Sequence, residues 1–201
     1  MIVEYIRDLS ASLGGIKPLV SEGTLRSLHN QKDFVGMIRH IKTDLRLGMK
    51  LAVGLVNKGG IPKAPAWIEM PDIMPLYGTA EFNSVSITMH IQKSFLRQHP
   101  FEMVVSVMAH ELSHVVLNAI HHRLHEKEEA VDLTAMIMGY RNFYRRGCEY
   151  SVTSGGNPFL EKLFPSEAET AFEDRVITTH RSGYLARNEV IFAADFMDFK
   201  D

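Results

Sequence analysis

Glu102-Met103-Val104-Val105-Ser106-Val107-Met108-Ala109-His110-Glu111-Leu112-Ser113-His114-Val115-Val116-Leu117-Asn118-Ala119-Ile120 is apolar nearly all round. That pattern predicts a buried helix. Midway along it, His110, Glu111 and His114 form a His-Glu-x-x-His motif. Two histidines and a glutamate are costly to bury unless something satisfies them. Residues four apart on a helix return to one face, about 6 Å apart along the axis. From there two imidazole nitrogens can share a zinc ion, each about 2.1 Å from it. Glu111, next to His110, can reach a metal-bound water without being a ligand. Zinc lowers that water's pKa toward about 7, and a carboxylate beside it can take the proton as general base.

A catalytic zinc needs a third protein ligand and an open position. In metzincins a third histidine follows six residues after the second, with glycine midway. Ile120 and Leu117 occupy those positions here, so that pattern fails. His121, His122 and His125 form the connection to the next helix and read most simply as a solvated turn. The remaining source is Glu128-Glu129-Ala130-Val131-Asp132, where Glu128 and Asp132 are four apart and share a helical face. Glu129 is the alternative, since a register shift of one exchanges the two glutamates. The second helix is expected over Glu126 to Tyr144, with Gly147 after Arg145-Arg146 as its stop.

Outward from this pair the signals are structural. Upstream, Ser21 to Leu25 could open a helix, and Phe34, Met37, Ile38 and Ile41 have helical spacing. Strands are expected at Lys50 to Val56, before an Asn57-Lys58-Gly59-Gly60 turn, and at Ala66 to Met70 between prolines. A third is expected at Ser84 to Ile91, with Val85, Ile87, Met89 and Ile91 on one face. Downstream come a loop at Ser154 to Pro158, a capping-box spacing at Ser166 to Glu169 and a last helix over Ala186 to Met197.

Composition narrows the classes of function. In 201 residues, 22 Lys+Arg against 24 Asp+Glu leave a net charge of −2, with no electrostatic footprint for nucleic acid or anionic membrane. The single cysteine, Cys148, excludes an intrachain disulfide and any multi-cysteine zinc site, and reads as an inert thiol. Charges at Glu4, Arg7 and Asp8 interrupt any signal-peptide core, and no uncharged stretch approaches a membrane span. The expected location is therefore cytoplasmic. The expected organisation is one domain, 1–201, with an N-terminal helical part (1–48), a catalytic core (49–147) and a C-terminal helical cover (148–201).

His110-Glu111-Leu112-Ser113-His114, a short connection, then Glu128-Glu129-Ala130-Val131-Asp132-Leu133-Thr134-Ala135-Met136-Ile137-Met138-Gly139 resembles the gluzincin branch of zinc metallopeptidases. It is most similar to compact ImmA/IrrE-like or minigluzincin-like members, over roughly residues 67–140. One departure is that Val131, where many relatives have alanine, directly precedes Asp132. The resemblance implies an α+β, zincin-like fold, with a small mixed sheet on the two site helices and flanking helices at both ends. It implies Zn2+ held by His110, His114 and Glu128 (or Glu129), with Glu111 as general base. Asp132 would orient a ligand histidine through its other ring nitrogen. It further implies a protein or peptide substrate, paired as an added strand against Ser84 to Ile91. Thermolysin-like relatives place histidine and tyrosine oxyanion donors in a later segment, for which His180 and Tyr184 are the candidates. An inactive zincin-fold sensing or binding module with a structural zinc is the alternative. A metal-dependent hydrolase of some other substrate is a third possibility.

Overall fold

The computed structural model describes residues 1–57, 64–154, 176–181 and 183–199. The chain divides into two compact units, one of Met1–Cys148 with Ser182–Asp201, the other of Glu149–Arg181.

The larger unit is mixed α+β. Three helices open it: α1 (Ile2–Ser12), α2 (Glu22–Asn30) and α3 (Phe34–Asp44). The Asp33 side chain caps α3 by accepting from the Gly36 N–H at 2.8 Å, and Met37, Ile38 and Ile41 are its buried stripe. Then follow β1 (Lys50–Val56), β2 (Ala66–Glu69), α4 (Ala80–Ser84), β3 (Ser86–Gln92) and α5 (Lys93–Gln98). The strands form one sheet in the order β1-β3-β2, with β1 parallel and β2 antiparallel to β3. Along β3 the alternation appears as expected, with Ile87, Met89 and Ile91 buried. The strand begins later than its sequence pattern, because Thr79 caps α4 and holds Ser84 in that helix.

Strand order corrects one expectation. From Thr88 to Ile91, β3 is paired on both sides, to Ala52–Leu55 and to Ala66–Glu69. A central strand has no free ladder groups to offer a peptide. Among the described residues the outer edges of β1 and β2 are both unpaired by this sheet, and β2 also packs against the long helix α6 (Phe101–Ala119).

Helix α6 is the hub of the unit, touching α2, α3, α7 (Glu128–Ala135) and α8 (Arg141–Gly147) as well as β2. Its apolar residues are buried on almost every side, and Ser106 and Ser113 return their hydroxyls to the carbonyls of Glu102 and Ala109. The single helix expected from Glu126 to Tyr144 is broken. A wide, π-type turn at Met136–Tyr140 separates α7 from α8, with Gly139 at φ 104°. There the main chain meets the 17–20 segment: Lys17 and Val20 donate to the carbonyls of Ile137 and Gly139. A Cβ on Gly139 would lie 2.3 Å from the Pro18 carbonyl oxygen, so neither the torsion nor the space admits a side chain. Periodicity is blind to this break, because the apolar spacing continues through it.

The last helix of the unit is α9 (Arg187–Asp198), which packs on α8 and α1. In the smaller unit, β4 (Glu149–Ser154) pairs antiparallel with β5 (Val176–Arg181). The stretch 148–201 therefore contains a strand pair as well as a helix, and is not a purely helical cover. The Ser166–Glu169 spacing and most of the Ser154–Pro158 loop lie outside the described residues. No helix among the described residues is long and apolar enough to cross a membrane.

Candidate metal centre

His110 and His114 project from one face of α6, their rings edge to face with centroids 5.0 Å apart. Glu128, in the first turn of α7, faces them, where the helix dipole favours a negative charge. Its Oε2 stands 3.2 Å from His110 Nε2 and 3.3 Å from His114 Nε2. Donors about 2.0–2.2 Å from a tetrahedral zinc stand about 3.3–3.6 Å from one another. The same Oε2 is buried and makes no hydrogen bond. A buried carboxylate oxygen so close to two ring nitrogens, without a hydrogen bond to either, fits a shared cation. All three donor atoms lie within 4.8 Å of one another. Glu129, on the same helical turn, is not part of this group.

The connecting histidines are engaged elsewhere. His121 ends α6 at φ 50°, and its Nε2 pairs with the Met74 carbonyl at 2.7 Å. His122 Nδ1 accepts from the Leu124 N–H, and His125 Nδ1 pairs with the His122 carbonyl. These contacts shape the turn between α6 and α7.

Asp132, one turn beyond Glu128, is 1% exposed and pairs through Oδ1 with His110 Nδ1 at 2.8 Å. This bond presents His110 Nε2 to the group opposite. The Oδ2 atom accepts main-chain N–H groups of Tyr184 at 2.7 Å and Leu185 at 3.2 Å. Sequence reasoning missed this second contact. The sequence singles out Tyr184 for its phenol, whereas the main chain of Tyr184 and Leu185 does the binding. The Tyr184 ring stacks on His110 with centroids 5.6 Å apart and remains 57% exposed. His180 lies on β5 opposite Tyr150, in the smaller unit, and its side chain is outside the described residues.

The electrostatics follow from these contacts. Burial opposes a charge on His110, but the hydrogen bond to Asp132 and the Glu128 carboxylate 3.2 Å from its Nε2 outweigh it and hold its pKa up to about 10. Burial and the neighbouring His110 charge push His114 down to about 4. The close approach of His110 Nε2, with His114 beside it, keeps Glu128 below its ordinary range. Burial raises the Glu111 carboxyl to about 7, against the His110 charge and with the help of Glu128. Burial, with Asp132 beside it, pushes the Tyr144 phenol well above its usual value. A cavity of about 600 Å3 lies elsewhere on α6, against Val116 and Ile120, and is not lined by these residues.

No protein-family model matches the chain, and neither the curated proteins nor the solved structures gave a match.

Proposed function

We propose that the chain is a zinc-dependent peptide hydrolase of the gluzincin kind, with His110, His114 and Glu128 as the ligands. The observation that carries this reading is the buried Glu128 Oε2, without a hydrogen bond, 3.2 and 3.3 Å from two histidine nitrogens. When bound, zinc supplies Lewis-acid polarisation of the scissile carbonyl and acidifies a water.

The residues divide the remaining work. Glu111 neighbours the ligand face, and its carboxyl, raised to about 7, can accept a proton near neutral pH and return it to a leaving amine. Asp132 holds the proton of His110 Nδ1, so that Nε2 is the donor atom turned to the metal. The Tyr184 ring lies over His110 and shields one side of the ligand set. The outer edge of β2, unpaired among the described residues and beside α6, offers main-chain groups to an extended peptide.

Glu111→Gln tests the reading. It is expected to keep the metal and to lose about 10²–10⁴-fold in turnover on a cleavable protein or peptide. Retained hydrolysis in that variant would remove Glu111 as the base. Failure of a hydroxamate to bind the zinc-loaded protein would mean that no coordination position is open, and would favour a structural zinc.

A further inference from the structure

We infer that the main chain of Gly183-Tyr184-Leu185 is a positioning clamp for the metal centre, acting through Asp132 on His110. This inference rests on the metal reading proposed above.

The two oxygens of Asp132 have separate partners. Oδ1 takes His110 Nδ1, while Oδ2 takes the N–H groups of Tyr184 and Leu185. With one partner alone a carboxylate can swing about its last torsion, and the imidazole follows it. Two converging N–H donors fix both the plane of the carboxylate and its charge in a site from which water is excluded. The Tyr184 ring, stacked on His110, restrains the same imidazole from its face. One three-residue turn thus holds His110 by two routes.

The turn is built for this contact. Gly183 has φ 82°, and a Cβ there would stand 2.9 Å from Asp132 Oδ2. Only glycine permits both the left-handed torsion and the close approach. Leu185 is 1% exposed and anchors the turn below. Glu189 Oε2 accepts the Ala186 N–H at 2.8 Å at the start of α9. That helix is pinned to α8 by Arg141, whose Nε reaches Asp198 at 2.5 Å, and by Arg145, which pairs with Asp195 and Asp198 at 2.7 and 2.6 Å. Docking of the C-terminal helix is in this way coupled to the orientation of a ligand some 70 residues earlier in the chain.

The test is a double-mutant cycle on zinc affinity, read by competition with a chromophoric chelator, for the full chain, Gly183→Ala, Asp132→Asn and the double variant. Each single change is expected to weaken zinc binding about 10–100-fold. The double variant should be no weaker than Asp132→Asn alone, because both changes break the same contact. Equal loss from Gly183→Ala in both backgrounds, or none in the wild-type background, would overturn the clamp. Should Gly183→Ala not fold, replacing the Leu185 peptide N–H by an ester oxygen deletes one donor without adding a side chain. That variant is expected to bind zinc several-fold more weakly, and unchanged affinity would count against the inference. The metal reading fails separately, by absence of zinc in the wild type. In that event the His110 Nδ1 proton of the metal-free protein decides: a strongly deshielded NMR signal lost in Gly183→Ala supports the clamp, and its retention there overturns it.

Discussion

Two histidines in this molecule stand at the same distance from a glutamate. His110 Nε2 lies 3.2 Å from Glu128, and His90 Nε2 lies 3.2 Å from Glu69. The surroundings separate them. Glu69 is 64% exposed and among the described residues meets one histidine, whose ring stacks on Trp67 above Gly54 on the sheet. Glu128 is 37% exposed, but its Oε2 is buried and faces a second histidine, and His110 has a second carboxylate behind it. An exposed pair contributes little to stability and organises nothing beyond itself. The set around Glu128 Oε2 assembles donors from two helices around one point, and that convergence is what makes it a candidate metal centre.

The comparison breaks most visibly under alanine substitution. His110→Ala or His114→Ala should reduce zinc content from about one per chain to near zero, whereas His90→Ala should leave it unchanged, as read by elemental analysis. Loss of zinc on His90→Ala would show that the two pairs are not distinct.

Tyr184→Phe keeps the ring and the main chain. Zinc affinity should stay within about twofold, while turnover falls about 10²-fold through loss of the oxyanion donor inferred from the resemblance. Unchanged turnover would leave Tyr184 with only its ring and its amide.

Proton linkage sharpens the contrast further. In the metal-free protein near neutral pH, His110 carries a proton (pKa about 10), His114 is neutral (about 4) and Glu128 is ionised. Zinc must displace the His110 proton. Rising pH removes that proton, so affinity should rise about tenfold per pH unit between roughly pH 6.5 and 8.5. Calorimetry in buffers of different ionisation enthalpy should count about one proton released by the ligand set. A flat affinity over that range would contradict the charge assigned to His110. The smallest effect is expected at Glu69→Gln, at most about 1 kcal/mol in urea unfolding.

Much of this site was legible because its information is local. The spacing of His110, Glu111 and His114 and that of Glu128 and Asp132 are facts about single helices, and helical geometry turns spacing into a shared face. The apolar run around the motif marked α6 as buried for the same reason. What escaped depends on contacts between distant segments. Strand order placed β3 in the middle of the sheet, which alternation along one strand cannot reveal. The break at Gly139 answers to Pro18 and Val20, over a hundred residues away. The grip on Asp132 comes from two main-chain N–H groups, which every residue but proline possesses, so no side-chain pattern announces them.

The most direct test of the central claim is the zinc content of the purified wild type beside Glu128→Gln and Glu129→Gln, by mass spectrometry. The geometry predicts about one zinc per chain in the wild type and in Glu129→Gln, and its loss in Glu128→Gln alone. No zinc in the wild type after reconstitution, or loss in Glu129→Gln with retention in Glu128→Gln, would contradict it.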